Sequence, residues 1–549
     1  MSLGQSPTHE DLYRSSSEFC EERLSESSIY RVLHQEGHRL FPDEAFADLF
    51  SDVGRRSVPP RIVAVVMVLQ RIEGLSDREA VERFAFDLRW KYAAGGLDFT
   101  HAGFVHTVLV DMRARLRASE RPDRIFEAVL DVARSAGLVG RKRVLDSTAL
   151  YDAVATQDTV TLIRSAIRGL LRVADDELQA EFRSALKRDD EYKTPGKPAC
   201  DWDDADAREL LVDALARDGF ALLTILDDRG LSPAVASAGR LLATVLGQDL
   251  EQRDDGVFRI ARRVAPDRVI STVDPESRHG HKTAARGFDG FKGHIALDPD
   301  SEIITATEVT AGNAGDATVV EALLSDVLPR AEAASAEAPD EEQVAAEASL
   351  EPGDETASAA STAAVYGDAS YGTADIVERL EGASIEVYTK VQSTPARTGM
   401  FSQDDFEIDT AGGTIRCPNG EQVQLRQRTD GSAHASFGSH CSGCPLRGQC
   451  TASKSGRAIN VHPKRDTLQR ARDKQRSESW KREYRATRPK VERKFGHMMR
   501  RKHGGRRARV RGRDRIRQDF SLLAAGTNLL RLVALGVRWE NDKWVCGQN

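Results

Sequence analysis

The sequence predicts an α/β protein with an all-helical N-terminal domain and a small Cys-rich insertion, and three observations predict this class. Two short apolar runs that end in aspartate, at residues 141–146 and 364–368, have the length and composition of strands. Runs with apolar residues at helical spacing surround them. Four of the seven cysteines fall within residues 417–450, close enough to share one small structural unit.

Length and composition indicate a multidomain globular protein. The 549 residues allow roughly three to four domains of about 150 residues each. A hydrophobic fraction of 40% excludes a collagenous or wholly disordered chain, and seven cysteines are too few for a secreted disulfide scaffold. The N-terminus lacks the pattern of a signal peptide, and no apolar run of about 18 residues predicts a membrane span. We therefore expect a cytoplasmic protein with no membrane partner.

The N-terminal part predicts a disordered leader at residues 1–30 and a helical domain at 31–135. Residues 61–72 form an apolar helix candidate that Pro59 and Pro60 open and Gly74 ends. Ser76 and Glu79 then have the spacing of a capping box, which starts a second helix. This arrangement fits a DNA-binding helix-turn-helix or a small bundle that only packs, and the sequence leaves both open.

The next part, residues 136–394, predicts the strand-rich domain. Its first strand, 141–146, ends at Asp146, and residues 151–265 form a helical insertion. A hairpin joins strands 293–298 and 302–309 through the turn at 299–301, and a helix follows at 317–328. Residues 331–363 contain nine acids and no base, which predicts a solvated linker. A strand at 364–368 that ends at Asp368, a helix at 374–380 and a strand at 385–391 complete this part.

Three carboxylates are candidates for phosphodiester chemistry, which uses two divalent cations about 4 Å apart. Asp146 and Asp368 follow apolar strands, as two neighbouring strands of one sheet would present them. Glu492 is an isolated acid on a helix within a basic segment. Mg²⁺ prefers oxygen ligands, so a few carboxylates suffice to hold it. Taken singly, each acid also fits a surface position or a helix ion pair with a neighbouring base.

The Cys-rich insertion, residues 395–463, predicts a structural zinc site. Cys441 and Cys444 have the spacing with which two thiolates bind one tetrahedral Zn²⁺, and Cys417 and Cys450 would complete the site. His440 is a possible substitute ligand. Free or redox-active thiols are the alternative. A closed four-thiolate site would stabilise the insertion and leave no position open for catalysis.

The C-terminal part, residues 464–549, begins with a strongly basic segment. Between residues 464 and 517 there are 23 Lys or Arg against 6 Asp or Glu, although the whole chain has a net charge of −7. Such an excess favours phosphate binding over a solvated helix face. After a Gly-Gly break, a mobile arm carries Arg506, Arg507, Arg509, Arg511 and Arg513. The candidates for DNA contact are Arg488, Lys490, Arg493, Lys494, Arg500, Arg501, Arg506, Arg507 and Arg509. Base reading must come from elsewhere, and the best candidates lie on the N-terminal helices: Arg78, Arg83 and Arg89.

The residues of several motifs, and the order of these motifs along the chain, resemble those of bacterial insertion-sequence transposases of the DDE type. The N-terminal stretch from residue 50 to 92 resembles their helical N-terminal domain, and the other motifs resemble their catalytic strands and closing helices. These other motifs are VLDSTAL (144–150), DPESRHG (274–280), FDGFKGHIALD (288–298), VTAGNAGD (309–316), YGDASYG (366–372), VERKFGHMMRRKHGGRRARVRG (491–512) and FSLLAAGTNLLRL (520–532).

The resemblance implies an RNase H-like mixed sheet flanked by helices, with Asp146, Asp368 and Glu492 as catalytic residues and ligands of two Mg²⁺ or Mn²⁺ ions. It implies cleavage at transposon ends, joining of the 3′-hydroxyl to target DNA, a homodimer on DNA and a place in the bacterial or archaeal nucleoid. The sequence departs from the family at Tyr484 and Met499, each of which shifts an accessory DNA contact by one residue. An RNase H-like nuclease without strand transfer, or a silent DNA-binding derivative, is the alternative.

Overall fold

A computed structural model describes residues 15–547, except for residues 52–53, 55, 153, 189–191, 284–285, 330–361 and 395–398. The predicted acidic linker, 331–363, therefore lies outside the described residues up to residue 361. The first 14 residues of the predicted leader also lie outside them.

Seven helices form the N-terminal part of the chain. They are α1 (Ser16–Glu21), α2 (Ile29–Leu40), α3 (Pro60–Glu73), α4 (Asp77–Phe86), α5 (Leu88–Ala93), α6 (Thr107–Ala118) and α7 (Arg124–Ser135). The prediction of disorder is wrong from Ser15 onward, because α1 packs on α5 and buries Cys20. The α3 prediction is confirmed: Pro60 occupies the first turn, and Gly74 ends the helix in a left-handed conformation with φ 68°. The Ser76–Glu79 capping box is also present.

The chain then forms β1 (Lys142–Tyr151) and the helical insertion. Four helices and a short hairpin make up this insertion: α8 (Thr159–Val173), α9 (Asp176–Ala185), α10 (Ala205–Leu226), α11 (Pro233–Asp249), β2 (Leu250–Gln252) and β3 (Phe258–Ile260). The helical prediction is confirmed for α8 to α11, whose apolar faces form a separate core. It is wrong for the β2–β3 hairpin, because the residues of these strands pair with each other.

The remaining strands of the main sheet follow the insertion, with two short helices among them. These elements are β4 (Arg278–Thr283), β5 (Arg286–Leu297), β6 (Ile304–Ala311), α12 (Val320–Leu323), β7 (Ala364–Gly367), α13 (Ala374–Gly382) and β8 (Glu386–Thr389). The hairpin at 299–301 is confirmed. The helix predicted at 317–328 is shorter, since its first turn is a 3₁₀ turn and α12 has only four residues.

The Cys-rich part contains two small three-stranded sheets and one short helix. Its elements are β9 (Glu407–Asp409), β10 (Thr414–Arg416), β11 (Gln422–Gln424), β12 (Arg426–Gln427), β13 (Ala433–Ser436), α14 (Arg447–Cys450) and β14 (Ala458–Val461). These elements share their own core around Phe406 and Phe437.

The C-terminal part consists of four helices and a hairpin. They are α15 (Arg465–Arg476), α16 (Glu478–Thr487), α17 (Pro489–Met498), α18 (Arg513–Ala534), β15 (Val537–Glu540) and β16 (Lys543–Cys546). Pro489 in the first turn of α17 separates it from α16, and the basic segment contains α15, α16, α17 and the start of α18. The closing helix begins earlier than residue 520, and most of its second half is buried.

The main sheet has six strands and a mixed topology. The strand order is β4–β5–β1–β7–β8, and β6 also pairs with β5. β1 is antiparallel to β5 and parallel to β7, and β7 is parallel to β8. The first strand was predicted to end at Asp146, which is wrong: residues 147–151 continue the strand, because they pair with residues 290–294 of β5.

Asn528 anchors the closing helix to the edge strand of this sheet. Its amide oxygen accepts a hydrogen bond from the Ile304 backbone N–H at 2.8 Å, and its amide nitrogen donates to the Ile304 carbonyl at 2.8 Å. The side chain is fully buried. The amide thus replaces a neighbouring strand for one residue of β6.

Replacing Asn528 with Leu should lower the free energy of unfolding by about 2–5 kcal/mol, because two buried backbone groups lose their partners. Asn528→Asp, which keeps one acceptor but loses the donor, should also destabilise. Urea denaturation measures the loss, and exposed Asp514→Asn is the control. A Leu variant as stable as the wild type would contradict this role.

His294 lies in the centre of the sheet and is fully buried. Its ring nitrogens contact the Tyr371 hydroxyl at 3.0 Å and the Thr310 hydroxyl at 2.9 Å. Burial lowers the pKa of His294 to about 4. The imidazole is therefore neutral at physiological pH, and protonation requires that a charge be buried in the sheet.

Acid should destabilise the protein through His294. The unfolded chain binds a proton near pH 6.5, whereas the folded chain binds it near 4, so stability is present above pH 6.5 and is lost as the pH falls through this window. We expect this residue to account for up to about 3 kcal/mol of that loss. Urea unfolding of His294→Gln across the same window should show a correspondingly weaker pH dependence, and exposed His38→Gln should not.

Candidate active site

Asp146 and Asp368 lie side by side because β1 and β7 are parallel neighbours. The register pairs Val144 with Tyr366, and two further residues along each strand lead to Asp146 and Asp368. Adjacent strands are about 4.8 Å apart, so the two backbones come close at this point. The Asp368 carboxylate accepts a hydrogen bond from the Ser370 N–H at 2.9 Å, which fixes the turn after β7.

Glu492 reaches the same region from α17, which packs on β1. Its side chain is 66% exposed, and its carboxylate lies 3.7 Å from the guanidinium of Arg488. Arg488 precedes Glu492 by one helical turn, so both side chains lie on the same face of the helix. Arg488 donates to the Asp146 carboxylate at 2.8 Å and therefore joins the helix to the strand.

The three carboxylates line one cavity of about 480 Å³. Its walls also carry cationic and polar side chains from β4, β5 and the C-terminal part: His281, Lys282, Lys292, Arg488 and Arg506. Burial raises the pKa of Asp146, and the negative charge of Asp368 adds to this, whereas the adjacent Arg488 opposes it. The cavity thus combines clustered negative charge with a cationic rim.

Arg488 is the buried cation of the site, with a side chain only 8% exposed. One terminal nitrogen is paired with Asp146, but the Nε and Nη1 groups are buried without a hydrogen-bond acceptor among the described residues. Buried N–H groups without acceptors are costly, and an anionic oxygen would satisfy them. The geometry therefore favours an anionic ligand in this cavity.

Four residues of the cavity carry polar chemistry that the sequence reasoning did not single out. Lys292 donates to Asp316 at 2.8 Å and to the Ala314 carbonyl at 2.7 Å. Ser147 donates to the other oxygen of Asp316 at 2.7 Å, and His281 lines the wall beside them. A signal was available for Lys292, since Lys292 and His294 are polar residues two positions apart in the second half of β5, residues 290–297, which is otherwise apolar or Gly.

The predicted DNA-contact residues of the basic segment divide into two groups. Some are engaged within the protein: Arg488 as above, Lys490 at 3.7 Å from Asp300, Arg493 and Lys494 beside Glu302, and Arg509, which donates to the Leu75 carbonyl. Lys494 is buried, and burial lowers its pKa to about 8. Those that point to solvent are Arg500, Arg501, Arg506 and Arg507.

The sequence predicted a mobile arm after Gly505, and this prediction is wrong for residues 506–508, whose backbone is held against β1. The Tyr151 N–H donates to the Arg506 carbonyl at 2.9 Å, and the Ala508 N–H donates to the Tyr151 carbonyl at 2.8 Å. These hydrogen bonds extend β1 by a single bridge and hold the backbone against the sheet. The Arg506 side chain consequently has a fixed attachment beside the cavity.

Two of the N-terminal arginines predicted to read DNA ends are paired with one carboxylate. Arg89 donates to Asp87 at 2.6 Å, and Arg83 lies 3.6 Å from the same residue. Arg78 is exposed. Arg83 and Arg89 are exposed as well, so all three candidates remain accessible to a ligand.

Tyr484 and Met499, the two positions at which the sequence departs from the family pattern, have different surroundings. Tyr484 donates to the Gly367 carbonyl at 3.3 Å and stacks on Trp480, so it supports the strand that leads to Asp368. Met499 is buried and lines the cavity, whereas its neighbour Arg500 is exposed.

The four clustered cysteines converge on a second, much smaller cavity of about 20 Å³. Cys417, Cys441, Cys444 and Cys450 line it as free thiols, and His440 lies at its edge. Burial raises the pKa of the Cys450 thiol, and the other three cysteines are near enough to add to this shift. The Arg457 N–H donates to the Cys441 sulfur at 3.4 Å.

Two further findings concern metals and membranes. Within the described parts of the chain, no group of three or more His, Cys, Asp or Glu side chains has the spacing of a metal site. Among the same residues, no helix is both long and apolar enough to cross a membrane.

Two family models match the chain, in separate segments. One is described as a transposase DDE domain and covers residues 416–533, which include the cysteine cluster, Glu492 and the closing helix. The other is described as a transposase domain, DUF772, and covers residues 16–115, the N-terminal helices. No curated protein and no solved structure matches the chain. The two matches lie on either side of the main sheet in sequence, and together they support the assignment of the chain to the insertion-sequence transposases of the DDE type.

Proposed function

We propose that this transposase cleaves the ends of its transposon and joins the freed 3′-hydroxyl to target DNA. The observation that carries the proposal is the cavity in which Asp146, Asp368 and Glu492 meet a buried arginine and a cationic rim. Anionic DNA requires the cations, and phosphoryl transfer requires the carboxylates.

The main sheet supports an RNase H-like fold for the catalytic domain. β1, β4 and β6 are each antiparallel to β5, and the last two strands of the sheet in the chain, β7 and β8, run parallel to β1. β1 and β7 bring the two aspartates to the same level. In this proposal the catalytic domain begins at about residue 136, and the helical insertion and the Cys-rich part interrupt it. Residues 464–549 return to the sheet with Glu492.

Asp146, Asp368 and Glu492 would hold two Mg²⁺ or Mn²⁺ ions. Carboxylate oxygens are the ligands that these hard cations prefer, and the three side chains line one cavity. Such ions activate the attacking oxygen and stabilise the leaving oxygen of a phosphodiester. Glu492 is mostly exposed, so its side chain is free to approach the two aspartates.

The protein groups around the carboxylates would position the DNA. Arg488 holds Asp146 in place, and its remaining N–H groups can donate to a phosphate oxygen. Lys292 and Arg506 line the walls, where they would contact the strand on either side of the cleaved bond. Exposed Arg500, Arg501 and Arg507 would extend these backbone contacts.

Two further features belong to the proposal. Joining two transposon ends requires two catalytic sites, so we expect a homodimer on DNA within the bacterial or archaeal nucleoid. The four thiols would bind one structural Zn²⁺ after their sulfur atoms move to metal-ligand spacing: they are free, they line one small cavity, and thiolate is the ligand that zinc prefers in closed sites. Zinc would stabilise the Cys-rich part, with no role in catalysis.

Asp146→Asn, Asp368→Asn and Glu492→Gln should each lower Mg²⁺-dependent cleavage of DNA by at least about 10³-fold, because each removes a charge on which the reaction depends. DNA binding should remain close to that of the wild type. Matched controls are Asp375→Asn and Glu478→Gln, exposed acids on α13 and α16, which should cleave normally. Full cleavage by any of the three variants would overturn the assignment.

The same assay, on DNA that carries both transposon ends and a supercoiled target, distinguishes the alternatives. Joined products indicate a transposase, and cleavage without joined products indicates a nuclease. Binding without either reaction, under conditions with Mg²⁺ and Mn²⁺, indicates a silent DNA-binding derivative.

Purified protein should contain about one zinc ion per chain, because four thiolates form a closed site. Cys444→Ser should reduce the zinc content, whereas Cys200→Ser, at an isolated cysteine, should not. Plasma emission spectrometry measures both. A wild-type protein prepared without chelators that contains no zinc would remove this part of the proposal.

A further inference from the structure

The helical insertion carries a large groove that the proposed reaction does not use. The groove has a volume of about 1230 Å³ and lies between α8, α9, α11 and the chain at residues 269–278. Six arginines line it: Arg168, Arg172, Arg183, Arg240, Arg278 and Arg511. No Asp or Glu is among the described residues that line it.

Most of this charge is not neutralised by the part of the chain that the structure describes. Arg172, Arg183, Arg240 and Arg511 are exposed and form no ion pair with any described residue. Arg278 does pair with Asp267, at 2.7 Å. In a chain with a net charge of −7, a groove whose described lining residues carry only cationic charge is a local reversal of sign, and it attracts an extended anion.

The groove continues toward the catalytic cavity. Arg278 lines both the groove and a neighbouring cavity of about 820 Å³, and this cavity shares His281 and Lys292 with the catalytic cavity. Arg278 and His281 belong to the same strand, β4, so they are about 10 Å apart. Arg511 also lines a further cavity, which contains Arg117, Arg515 and Arg517 together with the acids Glu276 and Asp514.

We propose that this arginine groove binds the sugar-phosphate backbone of the DNA duplex that enters the catalytic cavity. The inference rests on the proposed function and adds a role for the helical insertion. A duplex carries one negative charge per about 1.7 Å, so its backbone supplies several phosphates over the distance from Arg278 to the catalytic cavity. Arginine is suited to this contact, because its fork donates two hydrogen bonds to a phosphate.

The test removes three groove arginines from the full chain in one variant, Arg172→Gln with Arg183→Gln and Arg240→Gln. Binding of a fluorescent duplex of about 40 base pairs and arbitrary sequence is measured between about 50 and 200 mM salt. Loss of three phosphate contacts should lower the slope of log affinity against log salt by about 2 to 3, and affinity at about 0.1 M salt by at least about tenfold.

The matched control replaces three exposed arginines of the insertion that do not line the groove, Arg208, Arg253 and Arg262, with Gln. It changes the net charge equally and should keep the wild-type slope. If the triple groove variant loses its folded circular dichroism spectrum, Arg240→Gln alone should still lower the slope by about one.

The outcomes separate this inference from the proposed function. A wild-type slope in the groove variants, with cleavage by the wild type intact, overturns the groove and leaves the transposase proposal standing. An equal loss of slope in the control variant also overturns the groove. A wild-type protein that neither binds nor cleaves a duplex overturns both.

Discussion

The candidate site depends on one constraint, the parallel pairing of β1 with β7. The two strands are more than 200 residues apart in sequence, and the helical insertion, β4 to β6 and the acidic stretch lie between them. Their register brings Asp146 and Asp368 to the same level of the sheet. A shift by one residue would turn one of the two carboxylates to the opposite face. The hydrophobic residues of both strands oppose such a shift, because they are buried and a shift would disrupt their packing.

Electrostatics then joins the third acid to the first two. Burial penalises the charge of Asp146, and the ion pair with Arg488 offsets part of that penalty while it fixes α17 against β1. Since Arg488 and Glu492 are one turn apart, the same ion pair determines where Glu492 stands. Arg488 therefore positions two carboxylates and retains N–H groups for an anionic ligand.

Charge is distributed unevenly, and its placement is more informative than its sum. Much of the positive charge of the basic segment is engaged by groups of the protein itself. Arg493 and Lys494 lie beside Glu302, and Arg509 donates to a backbone carbonyl of the N-terminal part. Among the exposed arginines, Arg506 lines the catalytic cavity, and Arg172, Arg183 and Arg240 line the groove of the helical insertion. The described lining of this groove carries positive charge, although the insertion as a whole contains many acids.

Local signals in the sequence determined the elements that depend on neighbouring residues. The Pro–Pro start and Gly end of α3, the capping box at Ser76, the turn at 299–301 and the clustered cysteines all follow from short-range backbone and side-chain chemistry. The family pattern added the three acids. Tertiary structure alone decided the length of β1, because β5 supplies the hydrogen bonds that carry the strand past Asp146 to Tyr151. It also decided the fixed path of residues 506–508, the burial of Lys494 and the arginine groove. Each of these features arises from contacts between segments that are distant in the chain. Such contacts produce no periodic pattern in the sequence of either segment.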